Sequence, residues 1–315
     1  MIKVKTALGI GKALIMSQAL RLLVTVDLVV AGKLAIDELS FEGTPHRPVL
    51  GGAAAHVALA AATVGARVAI VSSIGDDFPA EFLAILQSKG IDLTGVVQRR
   101  GKSSHFWADF TKDGIMKSYG LHFGVGNRLS FRRFTQLVKN TQAVHLGILP
   151  PYQQRRILKR VHGQEKLLSM TTIFHQALRL RDEILPQLPL LDIMFLNAKE
   201  ASFLTQTTDI HIAIQKLGEF VPLVIVTQGP KGCMVNHQGV IRHIAGYPTN
   251  EVDTTGAGDS FAGAFLASYL QNRNIENAAQ WGNAAGALNV REVGCNYFQQ
   301  ATRKDLENLM HQSLQ

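Results

Sequence analysis

The chain has 315 residues, 46% of them hydrophobic and 18% charged, which excludes disorder as the main state and allows one large core or two modest ones. A net charge of +8 favours anionic partners. The densest basic groups, Arg132-Arg133 and Arg155-Arg156 with Lys159-Arg160, are short and helix-like, and read as solvated faces rather than a nucleic-acid footprint.

Lys3 and Lys5 precede an apolar stretch that Lys12, Arg21 and Asp27 interrupt. No uncharged run approaches the ~18 residues of a membrane span, and no clean cleavage site follows. The reading is a cytoplasmic protein without a membrane partner, in which residues 1–20 are an N-terminal extension of no assignable role and Met16 offers an alternative start. Leu22 to Ala31, rich in Val and Leu, suits a buried strand of a parallel sheet. An alanine-rich helix follows from Gly52 to Gly65, then a β-branched strand from Val68 to Ile74, then an amphipathic helix from Glu81 to Lys89 closed by Gly90. Helix, strand and helix in that order mark a wound α/β domain.

Ser104 to Tyr119 breaks the rhythm. Two strands flank Lys112-Asp113-Gly114, a hairpin turn signal, and without a helix between them they belong to a small separate sheet. The α/β rhythm resumes with a strand from Ala143 to Leu149, the Pro150-Pro151 break and a basic helix over 152–168. Strands are expected at Ile193 to Leu196 and Leu223 to Thr227, a hairpin at Cys233 to Ile244, and helices at Gly256 to Gln271 and Ile275 to Val290. The two cysteines, Cys233 and Cys295, form neither a metal-ligand spacing nor a disulfide framework, and suit a reducing compartment. Gly124-Val-Gly126 lacks the third glycine and the strand–helix setting of a dinucleotide fingerprint.

The most informative string is Asp253-Thr254-Thr255-Gly256-Ala257-Gly258-Asp259, which runs into an apolar helix with Phe261, Phe265 and Tyr269 at spacing four. The first N–H groups of a helix lack internal partners, and the macrodipole makes that end partly positive. Small residues there let a phosphate approach closely. On these residues alone Asp259 has two readings. It is a helix-start carboxylate, or it is a base that takes the proton of a hydroxyl attacking a phosphoryl group.

The seven-residue string resembles the C-terminal signature of the ribokinase-like, or PfkB, carbohydrate kinase family. Gly51-Gly52 with His56, Ala58, Gly65 and Gly75 resembles its N-terminal signature, Asn197-Ala-Lys-Glu200 its Asn-x-x-Glu motif, and Val226-Thr227-Gln-Gly229 with Gly232 its nucleotide-phosphate loop. All four stand in the family's order, over roughly residues 24–298.

The resemblance implies an α/β fold with a ribokinase-like wound sheet flanked by helices, one domain over residues 21–315, and a small β-sheet lid formed by segments near 38–50 and 99–121. It implies an ATP-dependent kinase that transfers the γ-phosphoryl group to a hydroxyl of a sugar or nucleoside. Asp259 would be the base, and Gly256, Ala257 and Gly258 the anion hole. Thr227, Gly229 and Gly232 would meet ATP, with Asn283 near the adenine. Asn197 and Glu200 would organise Mg²⁺ through water, and Asp253 and Thr255 match positions for a monovalent cation such as K⁺. Asp37, Gly51, Gly52 and His56 would face the substrate. His56 departs from the family pattern, which has Asn there, so it bears on substrate class. A homodimer through the lid is also implied. The competing reading is a non-catalytic sugar or nucleotide sensor on the same fold, whose mark would be loss of Asp259, Asn197 or Glu200; all three are present.

Overall fold

The computed structural model describes residues 26–41, 47–111 and 116–312. The N-terminal extension, the expected strand start at Leu22, residues 42–46 of the first lid segment and the Asp113-Gly114 turn lie outside them.

β1 (Val26–Ala31) is buried on both faces and apolar at every position but the partly exposed Asp27. Leu28 and Val30 point into one hydrophobic cluster and Val29 and Ala31 into the other. β2 (Ala35–Phe41) and β3 (Arg47–Gly51) follow, then β4 (Val68–Ile74), β5 (Asp92–Gln98), β6 (Ser104–Phe110) and β7 (Met116–His122). The second half supplies β8 (Thr141–Leu146), β9 (Leu167–Thr171), β10 (Ile193–Asn197), β11 (Leu223–Thr227), β12 (Cys233–His237) and β13 (Val240–Ile244).

These strands form two sheets. The larger has nine, in the order β13-β12-β11-β10-β9-β8-β1-β4-β5. From β11 to β5 every pairing is parallel, and β12 and β13 add an antiparallel edge. The smaller sheet runs β3-β2-β6-β7. The wound α/β architecture with a small separate sheet is therefore the one observed.

Helices cover both faces of the large sheet. Ala53–Val64, Ala257–Asn272 and Ile275–Asn289 pack on one side, and Phe131–Leu137, Pro151–Val161, Ala198–Thr205 and Ile210–Gly218 on the other. Ala53–Val64 meets Ala257–Asn272 at very close range. A Cβ on Gly263 would stand 2.2 Å from the Val57 carbonyl oxygen, so only glycine fits.

The chain leaves β1 toward β4 on one side and toward β8 on the other. In open parallel sheets, ligands bind beyond the carboxyl ends of strands at such a switch point. Gly32 and Gly147 lie against each other there, with a Cβ on Gly32 3.5 Å from the Gly147 Cα.

One predicted element is corrected. The helix expected over 152–168 ends at Val161, and Leu167–Thr171 is β9, inside the large sheet between β8 and β10. Gly163, at φ +81°, ends the helical path. Leu-Leu-Ser-Met-Thr then pairs on both sides, a tertiary constraint that overrides a short run's weak local preference. The strand expected at 143–149 is shifted to Thr141–Leu146.

Candidate active site

Two clefts open along the carboxyl edge of the large sheet and meet at Asp259. The larger, about 780 Å³, lies beyond β9, β10 and β11 and is lined by Thr172, Asn197, Glu200, Thr227, Gly229 and Gly232, among others. The second, about 520 Å³, lies between the ends of the large sheet and the small sheet, and includes Lys33, Asp37, His56, Phe106 and Tyr119. Asp259, Gly256, Lys199 and Ile173 line both.

The junction is built by the start of the Ala257–Asn272 helix. Gly256 is its N-cap at φ 74°, and its carbonyl accepts from Ser260 N at 2.8 Å. A Cβ there would collide with the His56 ring at 2.2 Å. A Cβ on Gly258 would meet nothing within 4 Å, so that side of the first turn is open. The first-turn N–H groups have no partner within the helix, and Gly256, Ala257, Gly258 and Asp259 line the larger cleft.

Asp259 is half-buried in this turn and accepts from the Thr171 hydroxyl at 3.3 Å. Burial pushes its carboxyl up to about 7, against the Thr171 bond, which favours the charged form. That value is suited to a general base near neutral pH.

Asn197 and Glu200 close a reciprocal capping box at the start of Ala198–Thr205. The Asn197 side chain accepts from Glu200 N at 2.9 Å, and the Glu200 carboxylate accepts from Asn197 N at 3.1 Å. Thr172 also donates to Glu200, at 3.3 Å. Burial pushes the Glu200 carboxyl up to about 8, with the nearby Asp259 charge adding to the rise. Among the described residues no group of three or more His, Cys, Asp or Glu could hold a metal. A single buried carboxylate beside an anion-binding turn fits Mg²⁺ held mainly by phosphates and water.

The remaining residues expected at this cleft divide. Thr227, Gly229 and Gly232 line it, with Gly232 at φ +94° where a Cβ would strike the Ile244 carbonyl oxygen at 2.1 Å. Asn283 also lines it, but its amide donates to Ile244 O and Ala245 O at 3.2 and 3.0 Å, tying its helix to the end of β13. Asp253 lines neither cleft. Its carboxylate accepts from Thr255 N and Gly294 N, both at 2.9 Å, and so anchors the loop. Thr255 reaches the second cleft.

In the second cleft Asp37 is fully enclosed, and a Cβ on Gly51 would stand 2.0 Å from its carboxyl group. Gly52 N–H bonds to that carboxyl, so this donor serves Asp37 rather than the open cleft. Burial, reinforced by the Asp253 charge, pushes Asp37 up to about 8. Its Oδ1 has no partner.

His56 is positioned by Asn289, which the sequence reading passed over. The Asn289 amide donates to Thr255 O at 2.8 Å, and its Oδ1 accepts from Ser260 at 2.9 Å. That oxygen must also accept at 3.0 Å from His56 Nδ1, which therefore carries the proton. Burial holds His56 below the usual imidazole range, so Nε2 is a bare acceptor, and it is buried without a partner. Lys33, Thr171 and Thr172 were likewise passed over, since no local motif marks them.

An open helix start, a carboxyl raised to about 7 and a second cleft thus meet at one point, a geometry suited to phosphoryl transfer. The chain belongs to the pfkB carbohydrate kinase family, whose model matches residues 23–302. It is 33% identical over 262 residues to the cytidine kinase of Thermococcus kodakarensis, covering 82% of this chain and 93% of that one. Identity to the ribokinase of Haemophilus influenzae is 26%, covering 85% and 90%. The fold matches Arabidopsis thaliana ribokinase, solved with ribose and ATP, at a TM-score of 0.79 and 23% identity, over 91% of this chain and 99% of that one.

Proposed function

We propose that the protein is an ATP-dependent kinase that transfers the γ-phosphoryl group to a hydroxyl of a sugar or nucleoside. The observation that carries this reading is the position of Asp259, where an anion-binding cleft and a partly apolar acceptor cleft meet. ATP lies in the larger cleft, its phosphates toward Thr227, Gly229 and the Gly256–Gly258 turn. The acceptor lies in the second, with hydroxyls meeting Asp37 Oδ1 and His56 Nε2, two buried polar atoms of that cleft that lack partners.

Asp259 takes the proton of the reacting hydroxyl as its oxygen bonds to the γ-phosphorus and the bond to the β–γ bridging oxygen breaks, releasing ADP. Backbone N–H groups of the first helical turn stabilise charge on the transferring group without reorganising. Glu200, with Asn197, would face the waters of bound Mg²⁺, an ion that supplies positive charge to the phosphates. The Asp253–Thr255 loop is the proposed place of a monovalent cation. The small sheet would close over the acceptor as a lid and keep water from the phosphoryl group. Its exposed Trp107 marks the face through which a homodimer would pair.

Incubation with Mg-ATP and a panel of pentoses, hexoses and nucleosides, read by mass spectrometry, tests the reading. A monophosphorylated acceptor formed with stoichiometric ADP is expected. ATP binding without any phosphorylated product across the panel would favour the sensor.

A further inference from the structure

The second cleft is polar along one margin and apolar along the other. By strand register Asp37, Phe106 and Leu121 form one row across β2, β6 and β7. Asp37 begins that row, and His56 and Asp259 line the same cleft. The far side is Phe106, Tyr119, Leu121 and Phe123, with the Phe106 and Tyr119 rings 6.5 Å apart. Tyr119 and Leu121 are 53% and 43% exposed, a solvated apolar surface inside a cleft. A small polyol would satisfy the polar margin and leave the aromatic side bare.

Lys33 supplies the second observation. It stands in the turn between β1 and β2 and is 5% exposed. Its side chain passes Gly126 and places Nζ 3.6 Å from the centre of the Phe123 ring. Among the described residues no carboxylate pairs with it, and it still faces the cleft. A buried ammonium costs free energy unless an acceptor meets it. The apolar side therefore combines a buried ammonium donor with flat rings.

We infer that the acceptor is a nucleoside, with its ribose against Asp37, His56 and Asp259 and its base against Phe106 and Leu121, and that Lys33 is a specificity residue donating to an acceptor atom of the base. This rests on the kinase reading for the identity of the site. A sugar phosphate is the other ligand a buried lysine could attract, but one cation between two buried carboxyls and four apolar side chains is a poor phosphate site.

The test is calorimetric titration of the intact chain with cytidine, uridine, adenosine, ribose and ribose 1-phosphate, alongside ADP release with Mg-ATP. The variants are Lys33→Met and, as a second that leaves the lysine in place, Phe106→Ala. At least one nucleoside should bind about tenfold or more tighter than ribose. Lys33→Met should weaken that nucleoside about tenfold or more and ribose by much less. Phe106→Ala should act in the same direction. Preference for ribose or ribose 1-phosphate over every nucleoside, or equal loss of ribose and nucleoside in both variants, would overturn the inference. Turnover confined to free sugars would overturn this inference and leave the kinase reading intact, whereas nucleoside binding without phosphoryl transfer would defeat the kinase reading and leave only a nucleoside-binding cleft.

Discussion

On the proposed function Asp259 is the base, and its protonation would set the pH dependence. Only the carboxylate can accept a proton, so kcat/KM should rise with pH through an apparent value near 7, set by burial and shared with Glu200 through their coupling. Initial rates from about pH 5.5 to 9 measure this; a flat profile would contradict it. The stability sign is opposite. The folded state raises Asp259 from 3.8 to about 7, so its contribution is fully present below the unfolded value and is lost as pH rises through the folded one. Asp259→Asn should therefore raise Tm by a few degrees at pH near 8.5 and by little near pH 5, in a thermal melt followed by circular dichroism. An equal shift at both pH values would show that burial is not what moves this group. At this scale the sequence was legible where chemistry is written locally. Asp259, Gly256 and Gly258 stand in one short string, and the structure brings them to the junction of the two clefts. Asn289 and Lys33 were not legible, because their significance comes from partners distant in the chain, such as His56, 233 residues away from Asn289.

The elements matter through how closely they pack. Gly263 lets the Ala257–Asn272 helix lie on Ala53–Val64, which sets Gly256 against His56. Gly263→Val would force these helices apart and should cost about 3 kcal/mol or more of stability, read as a fall in the urea midpoint. A loss below about 0.5 kcal/mol would show that the helices accommodate the side chain. Runs rich in Val, Ile and Leu made β1, β4, β10 and β11 readable, since a strand buried on both faces needs no alternation. β9 was missed because a five-residue run with Ser and Thr looks like a helix end until β8 and β10 are seen beside it. Asn197 and Glu200 show an element-level ambiguity that the geometry makes concrete: the same two side chains cap a helix and line the larger cleft.

For the molecule as a whole, the small sheet carries one wall of the acceptor cleft while the large sheet carries the rest. If the small sheet closes when both clefts are filled, amides of β6 and β7 should gain about tenfold or more protection from hydrogen exchange with acceptor and a non-hydrolysable ATP analogue together. Either ligand alone should give less. Unchanged exchange in the ternary complex would contradict closure. The order of strands about β1 explains why both clefts share the carboxyl edge, and that order follows from alternating helices and strands in the sequence.

The most direct test of the central claim is kcat for Asp259→Asn, measured as ADP release with Mg-ATP and the acceptor that turns over best. The account predicts a fall of about 100- to 10,000-fold with KM for ATP nearly unchanged, because the substitution keeps the shape and removes the proton acceptor. A variant turning over within about tenfold of the natural protein would mean that another group takes the proton and that the junction of the two clefts is not the reacting centre.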